Sequence, residues 1–124
     1  MRTVVVLGSL FAAVVLAAGP ALAQQQYSGR VTSGQDVGGS TRCGTYAMNM
    51  DLTVNGSDIK ATFLQDGRTE RNFAATADAT GAFKTKTVTG GGAPMNVTGK
   101  VTPGEVTVKL DGYCIFNFKL TPKR

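Results

Sequence analysis

From Tyr27 to Thr121 the sequence repeats one event: a short run that alternates apolar and polar residues, then a cluster of turn residues. Alternation at period two sends successive side chains to opposite faces of a strand. Turn signals at such regular spacing suggest an all-β sandwich or barrel. The runs are "YSGRVTS" (27–33), a longest one within "GSTRCGTYAMNMDLTV" (39–54), "DIKATFL" (58–64), "RNFAATA" (71–77), "AFKTKTV" (82–88), "MNVTGKV" (95–101), "VTVKL" (106–110) and "YCIFNFKLT" (113–121). Between most of them stand short turns: "NGS" (55–57), "QDGR" (65–68), "DATG" (78–81), "TPGE" (102–105) and "DG" (111–112). "GGGAP" (90–94) reads as the most flexible loop. Connections this short permit only antiparallel neighbours. The expectation is a small antiparallel up-and-down barrel of about eight strands, because closure removes the unpaired edges that no helix is present to cover. The alternative is a two-sheet β-sandwich. Gly29, Gly44 and Gly99 fall inside strand patterns, where a bulge or sharp bend is the usual reason.

The domain begins after a leader. "MRTVVVLGSLFAAVVLAAGPALA" has a positive start at Arg2, an apolar run from Val4 to Ala18 and small residues at Ala21 and Ala23. That is the pattern of a cleaved secretory signal peptide, residues 1–23. The run is short for a membrane span, which needs about 20 apolar residues. Pro20 stands where a lipidated cysteine would have to be. The mature chain, 24–124, is long enough for a single all-β domain with one modest core. The whole chain carries 13 Lys plus Arg and 8 Asp plus Glu; without Arg2 the formal charge is +4. This bias is well short of a nucleic-acid-binding composition. The reading places the protein in the periplasm or outside the cell, with no nucleic acid as partner and no membrane span after cleavage.

Two cysteines, Cys43 and Cys114, in an exported chain point to one disulfide. A zinc site needs three or four ligands, and the chain has no His. A catalytic thiol needs a base, normally His. The bridge would close a loop of about 70 residues, which the loop-entropy model values at roughly 4 kcal/mol. Cys114 shares the phase of Phe116, Phe118 and Leu120 and faces inward. Cys43 is out of phase with Tyr46, Met48 and Met50. Either a bulge at Gly44 restores the phase, or Cys43 lies in the loop before the strand.

Catalytic groups are scarce. Most of the eight carboxylates sit in or beside turns, where Asp has a local backbone role. Asp66 and Glu70 could form a glycosidase-like pair, but a solvated hairpin tip does not raise a carboxylic acid's pKa. The serines at 28, 33, 40 and 57 fall in no nucleophile motif, and "GGGAP" precedes no helix that would make it a phosphate cradle. The chain therefore reads as a non-enzyme with no catalytic residue, no metal site and no cofactor.

Two features could carry binding. Lys84, Lys86, Lys100, Lys109 and Lys119 lie on the outward phase of the last four strands, with Tyr113 and Ile115 on the same phase. Such a face suits an anionic partner, such as an envelope component like lipopolysaccharide, an acidic glycan or an acidic protein surface. A solvated lysine face that keeps the protein soluble is the plainer explanation. The second feature is the interior. Tyr46, Met48, Met50, Phe63, Phe73, Phe83, Phe116 and Phe118 point inward, and their volumes should nearly fill a small barrel. Lys and Thr on the outward phase, and strands mostly short of 9–11 residues, argue against insertion into an outer membrane.

The layout resembles a group of small exported alphaproteobacterial β-barrel proteins of unknown function. The matching stretches are "YSGRV" (27–31), Cys43, "LTVNGSDIKATF" (52–63) and "CIFNFKL" (114–120) before the terminal "KR". A Trp expected in the first strand is replaced here by Tyr27 or Val31. The resemblance implies a β-barrel and transfers no functional residue. The function expected is non-enzymatic binding in the envelope. Its rivals are a small hydrophobic-ligand carrier of lipocalin or avidin type, and a periplasmic inhibitor of a secreted protease or lysozyme.

Overall fold

A computed structural model of the protein describes residues 24–36 and 43–123; the expected signal peptide lies outside them. Every alternating run becomes a strand: β1 (Gln25–Asp36), β2 (Met48–Asn55), β3 (Asp58–Gln65), β4 (Arg71–Thr76), β5 (Ala82–Val88), β6 (Pro94–Thr102), β7 (Glu105–Asp111) and β8 (Cys114–Pro122). A single 3-10 turn, Cys43–Thr45, precedes β2, and the described residues contain no α-helix. β1 is longer than expected at both ends. β2 begins only at Met48, so residues 43–47 of the expected run are not strand; its first four residues lie outside the described ones.

The eight strands form one antiparallel sheet in the order β4-β3-β2-β1-β8-β7-β6-β5. Its centre is the pairing of the first strand with the last, with Tyr27 opposite Pro122 and Val31 opposite Phe118. The two outer strands, β4 and β5, then meet around the back. No ladder joins them; side chains do. The Phe73 and Phe83 rings stack with centroids 6.5 Å apart. The Thr87 hydroxyl donates to the Asn72 carbonyl at 2.8 Å. Arg71 donates from Nε to the Thr89 carbonyl at 2.9 Å and from Nη2 to the Gly90 carbonyl at 3.2 Å. The result is a nearly closed barrel, and the sandwich alternative is set aside.

Side chains fill its interior. Met50 and Leu52 of β2, Ile59 of β3, Val97 of β6, Leu110 of β7 and Leu120 of β8 are all at most 1% exposed. Phe63, Phe73, Phe83, Phe116 and Phe118 join them, and no described polar or charged residue is buried. Tyr46 differs from expectation: it precedes β2, is only half-buried, and leans on Phe116 at 6.1 Å between centroids at the rim. Burying a side chain of this class stabilises by roughly 1.5–3 kcal/mol each before conformational entropy is set against it.

The strand-interior glycines do not mark bulges. The one irregularity in the β1–β8 pairing falls at Thr32, between Val31 and Ser33. Gly99 instead lies under the Phe83 ring, where a Cβ would overlap the ring and the Thr107 carbonyl. Gly29 likewise makes room for the backbone of Lys119 and Leu120. Gly44 sits in the 3-10 turn.

The Cys43–Cys114 disulfide forms, with Cα atoms 5.8 Å apart. The phase problem is solved without a bulge. Cys43 sits in the turn before β2 and approaches from the barrel end. Its carbonyl rests on Gly34, which has no Cβ to obstruct it.

The two ends of the barrel differ. At one, tight turns join the strands, with Gly56 at φ 66° and Gly104 at φ 79°, values that favour glycine. The Ala77–Gly81 connection there is organised by Asp78. Its Oδ1 accepts from the Thr80 N–H at 2.8 Å, the Thr80 hydroxyl at 2.6 Å and the Ala82 N–H at 3.2 Å. The opposite end carries the chain before β2, residues 66–70, residues 89–93, and Gly112-Tyr113. The glycine loop there is tied down rather than loose. Thr89 N–H donates to the Ala93 carbonyl at 2.7 Å, Ala93 N–H to Thr89 Oγ1 at 2.9 Å, and Arg71 grips the loop from β4.

Two outcomes are expected. Replacing both cysteines by alanine should cost up to about 4 kcal/mol in urea unfolding, the loop-entropy value for this separation, without changing the fold seen by far-UV circular dichroism. The Thr80 hydroxyl, helped by the backbone N–H groups of Thr80 and Ala82 and by Lys100, holds the Asp78 carboxyl below its ordinary value of 3.8. A lowered folded value means the contribution is complete above the unfolded pKa and is lost as pH falls through the folded one. The melting-temperature gap between wild type and Asp78→Asn should therefore be widest near neutral pH and shrink on acidification to about pH 2; a constant gap would refute the assignment.

Candidate functional site

Strand pairing fixes where the five outward lysines stand. Lys84 (β5), Thr98 (β6), Lys109 (β7) and Asn117 (β8) lie abreast in one row. The next row, towards the tight turns, is Ala82, Lys100, Thr107 and Lys119. On the other side lie Lys86, Asn96, Asp111 and Ile115. Neighbouring strands are about 4.8 Å apart, so lysines separated by one threonine are rooted about 10 Å from each other. All five lysines are exposed.

Charge balance on this wall is incomplete. Glu105 pairs with Lys119 at 3.6 Å. Lys84, Lys86, Lys100 and Lys109 have no ion-pair partner among the described residues. A shallow groove of about 510 Å³ runs between the rows, lined by Thr32, Thr98, Thr107, Lys109, Asn117 and Lys119 among others. Its floor is braced where β1 meets β8: the Thr32 hydroxyl donates to the Asn117 carbonyl at 3.0 Å, and Asn117 Nδ2 donates to Ser33 Oγ at 3.1 Å. The wall made by β1–β3 also carries cations, Arg30 and the exposed Lys60. There Arg30 Nη1 donates to Asn49 Oδ1 at 2.8 Å and Lys123 pairs with Asp51 at 3.4 Å.

Tyr113 does not belong to this wall. It lies in the bend between β7 and β8, 64% exposed, at the loop-bearing end. There it lines a cleft of about 270 Å³ with Tyr46, Gln65, Arg68, Gly91 and Phe116. The disulfide closes one side through Cys114. Alternation alone puts Tyr46 inside the barrel and Tyr113 on the lysine face; the fold brings both to one concave surface. The only sequence sign was that Tyr113 falls directly after a turn.

Asp66 and Glu70 are exposed in their hairpin. Among the described residues no three His, Cys, Asp or Glu side chains gather as metal ligands. No helix of the described residues is long and apolar enough to cross a membrane. What fold and surface define is a small, disulfide-linked, nearly closed barrel with a filled interior and one lysine-rich wall. The chain matches no family model, no curated protein and no solved structure.

Exposed lysines without partners add little to stability. Lys84→Gln with Lys109→Gln should therefore shift unfolding free energy by no more than about 0.5 kcal/mol; a larger loss in urea unfolding would assign these side chains a structural role.

Proposed function

We propose that the protein is an exported, non-enzymatic binding protein whose β5–β8 wall receives an anionic component of the cell envelope. The observation that carries this reading is the set of four lysines, Lys84, Lys86, Lys100 and Lys109, on one face of the barrel that make no close ion pair among the described residues, Lys100 acting only at longer range on Asp78. Export is supported by the N-terminal leader pattern and by a disulfide, which persists in oxidising compartments. A carrier of lipocalin or avidin type needs an empty interior; here aromatic and aliphatic side chains occupy it. That packing favours a partner outside the barrel. Lys, Thr and Asn on the outer phase of β5–β8 suit a wall that stands in water.

The physics is additive and long-ranged. Each lysine near an anionic surface contributes about 1 kcal/mol at low salt. Four acting together give roughly a thousandfold preference for an anionic over a neutral surface. Screening over about 8 Å at physiological ionic strength weakens the attraction as salt rises.

The test is co-sedimentation of the mature domain with vesicles, either anionic phosphatidylglycerol or zwitterionic phosphatidylcholine, and with lipopolysaccharide in parallel. Binding should favour the anionic surfaces, fall steeply with added salt, and disappear in the variant Lys84→Glu, Lys86→Glu, Lys109→Glu. Unchanged retention of that variant, checked as folded by its thermal melt, would sink the idea.

A further inference from the structure

The cleft at the loop-bearing end is a second surface with different chemistry. Its parts come from separate segments: Tyr46 from the turn before β2, Gln65 from the end of β3, Arg68 from the β3–β4 hairpin, Gly91 from the glycine loop, and Tyr113 from the β7–β8 bend. Tyr46, Arg68 and the glycine loop are held from behind. Tyr46 rests on Phe116. The disulfide fixes the 3-10 turn just before Tyr46. Arg71 pins the glycine loop, and Gly90 lets that loop press against the Arg68 stem, where a Cβ would collide. The cleft is therefore preformed, which lowers the ordering cost of binding.

We propose that this cleft is a saccharide-binding site. Two tyrosine rings offer flat apolar faces with a polar edge, which match the C–H face of a pyranose. Gln65 and Arg68 add planar groups with paired donors, suited to neighbouring hydroxyls. Arg68 makes no ion pair among the described residues, so its donors are available. Asp66 and Glu70 stand in the same hairpin, so the locality carries no net positive charge. That balance disfavours a phosphate or another strongly anionic ligand and favours a neutral polyhydroxyl one. The floor is Phe116 and the disulfide, with a filled barrel beneath. No apolar shaft opens below for an acyl chain. At about 270 Å³, the space is at the lower edge of the range for small-molecule sites, about 300–1,000 Å³. This fits a short segment of glycan. The site is independent of the lysine wall and stands or falls without it.

The chain itself provides the reporter. It has no Trp and three Tyr. Tyr27 is buried near the opposite end, so changes in tyrosine emission report on Tyr46 and Tyr113. Cellobiose, maltose and N,N′-diacetylchitobiose would each be titrated into the mature domain, following tyrosine emission and backbone amide shifts. At least one disaccharide should saturate, with shifts confined to residues 65–68, 89–93 and 112–114. Tyr113→Ala and Arg68→Ala should each weaken it about tenfold or more. Both side chains are exposed, so both variants should melt as wild type does. Lys84→Glu with Lys109→Glu should leave saccharide binding unchanged while reducing vesicle binding, which separates the two sites. Three results would each overturn the proposal: no saturation by any of the three sugars, saturation that ignores Tyr113→Ala, or tighter binding of inorganic phosphate at the same amides.

Discussion

The pairing of β1 with β8 is the interaction on which the rest depends. Every other ladder joins strands that are neighbours in sequence; this one joins the two ends of the domain. Non-local pairing carries the largest loop-closure entropy and is the slow step in folds of this kind. The disulfide addresses that cost directly. Cys114 opens β8 and lies opposite Asp36, the last residue of β1, while Cys43 follows β1 after a short connection. Once the bond has formed, the two strands are tethered at one end, and their pairing becomes almost as local as a hairpin.

The β4–β5 seam is the complementary weak point. These strands are consecutive and joined by a tight connection, yet they share no ladder. Closure there rests on the Phe73–Phe83 stack inside, and on Arg71 and Thr87 towards the loop-bearing end. A barrel needs the right strand tilt for all ladders to close at once. Here seven close and the eighth gap is spanned by side chains. Gly99 belongs to this device: without a Cβ on β6, the Phe83 ring lies flat and reaches Phe73.

How much of this the sequence discloses depends on range. Alternation is local, so the phase of Met48, Met50, Phe63, Phe73, Phe116 and Phe118 is legible, and so is strand count. The lysines follow from the same rule, since a residue opposite in phase to Phe118 must face out. What is not legible is set by segments distant in sequence. Gly34 is glycine because the Cys43 carbonyl crosses it. Gly29 and Gly99 look like bulge positions until the neighbouring backbone and ring are known. Tyr113 extends the outward alternation of β8 backwards by one residue too many, because the strand has not yet begun. The cleft is assembled from several connections, and no spacing rule links residues 46, 65, 68 and 113.

Among the described residues no polar or charged side chain is buried in the barrel. The proposed recognition therefore uses the outer wall and one end, and the pleat determines how each works. On the wall, Thr98 and Thr107 separate lysines of one row by about 10 Å, while Lys84 and Lys86, two residues apart on β5, are rooted only about 7 Å apart. Both spacings are near the screening length of about 8 Å at physiological salt, so the lysines repel one another in part. A flat anionic surface would meet several of them at once and relieve that repulsion. At the end, strands have stopped and connections vary in length, so short-range groups converge on one small ligand. One scaffold can then hold two kinds of recognition apart: salt-sensitive and cumulative on the wall, geometric and local at the mouth.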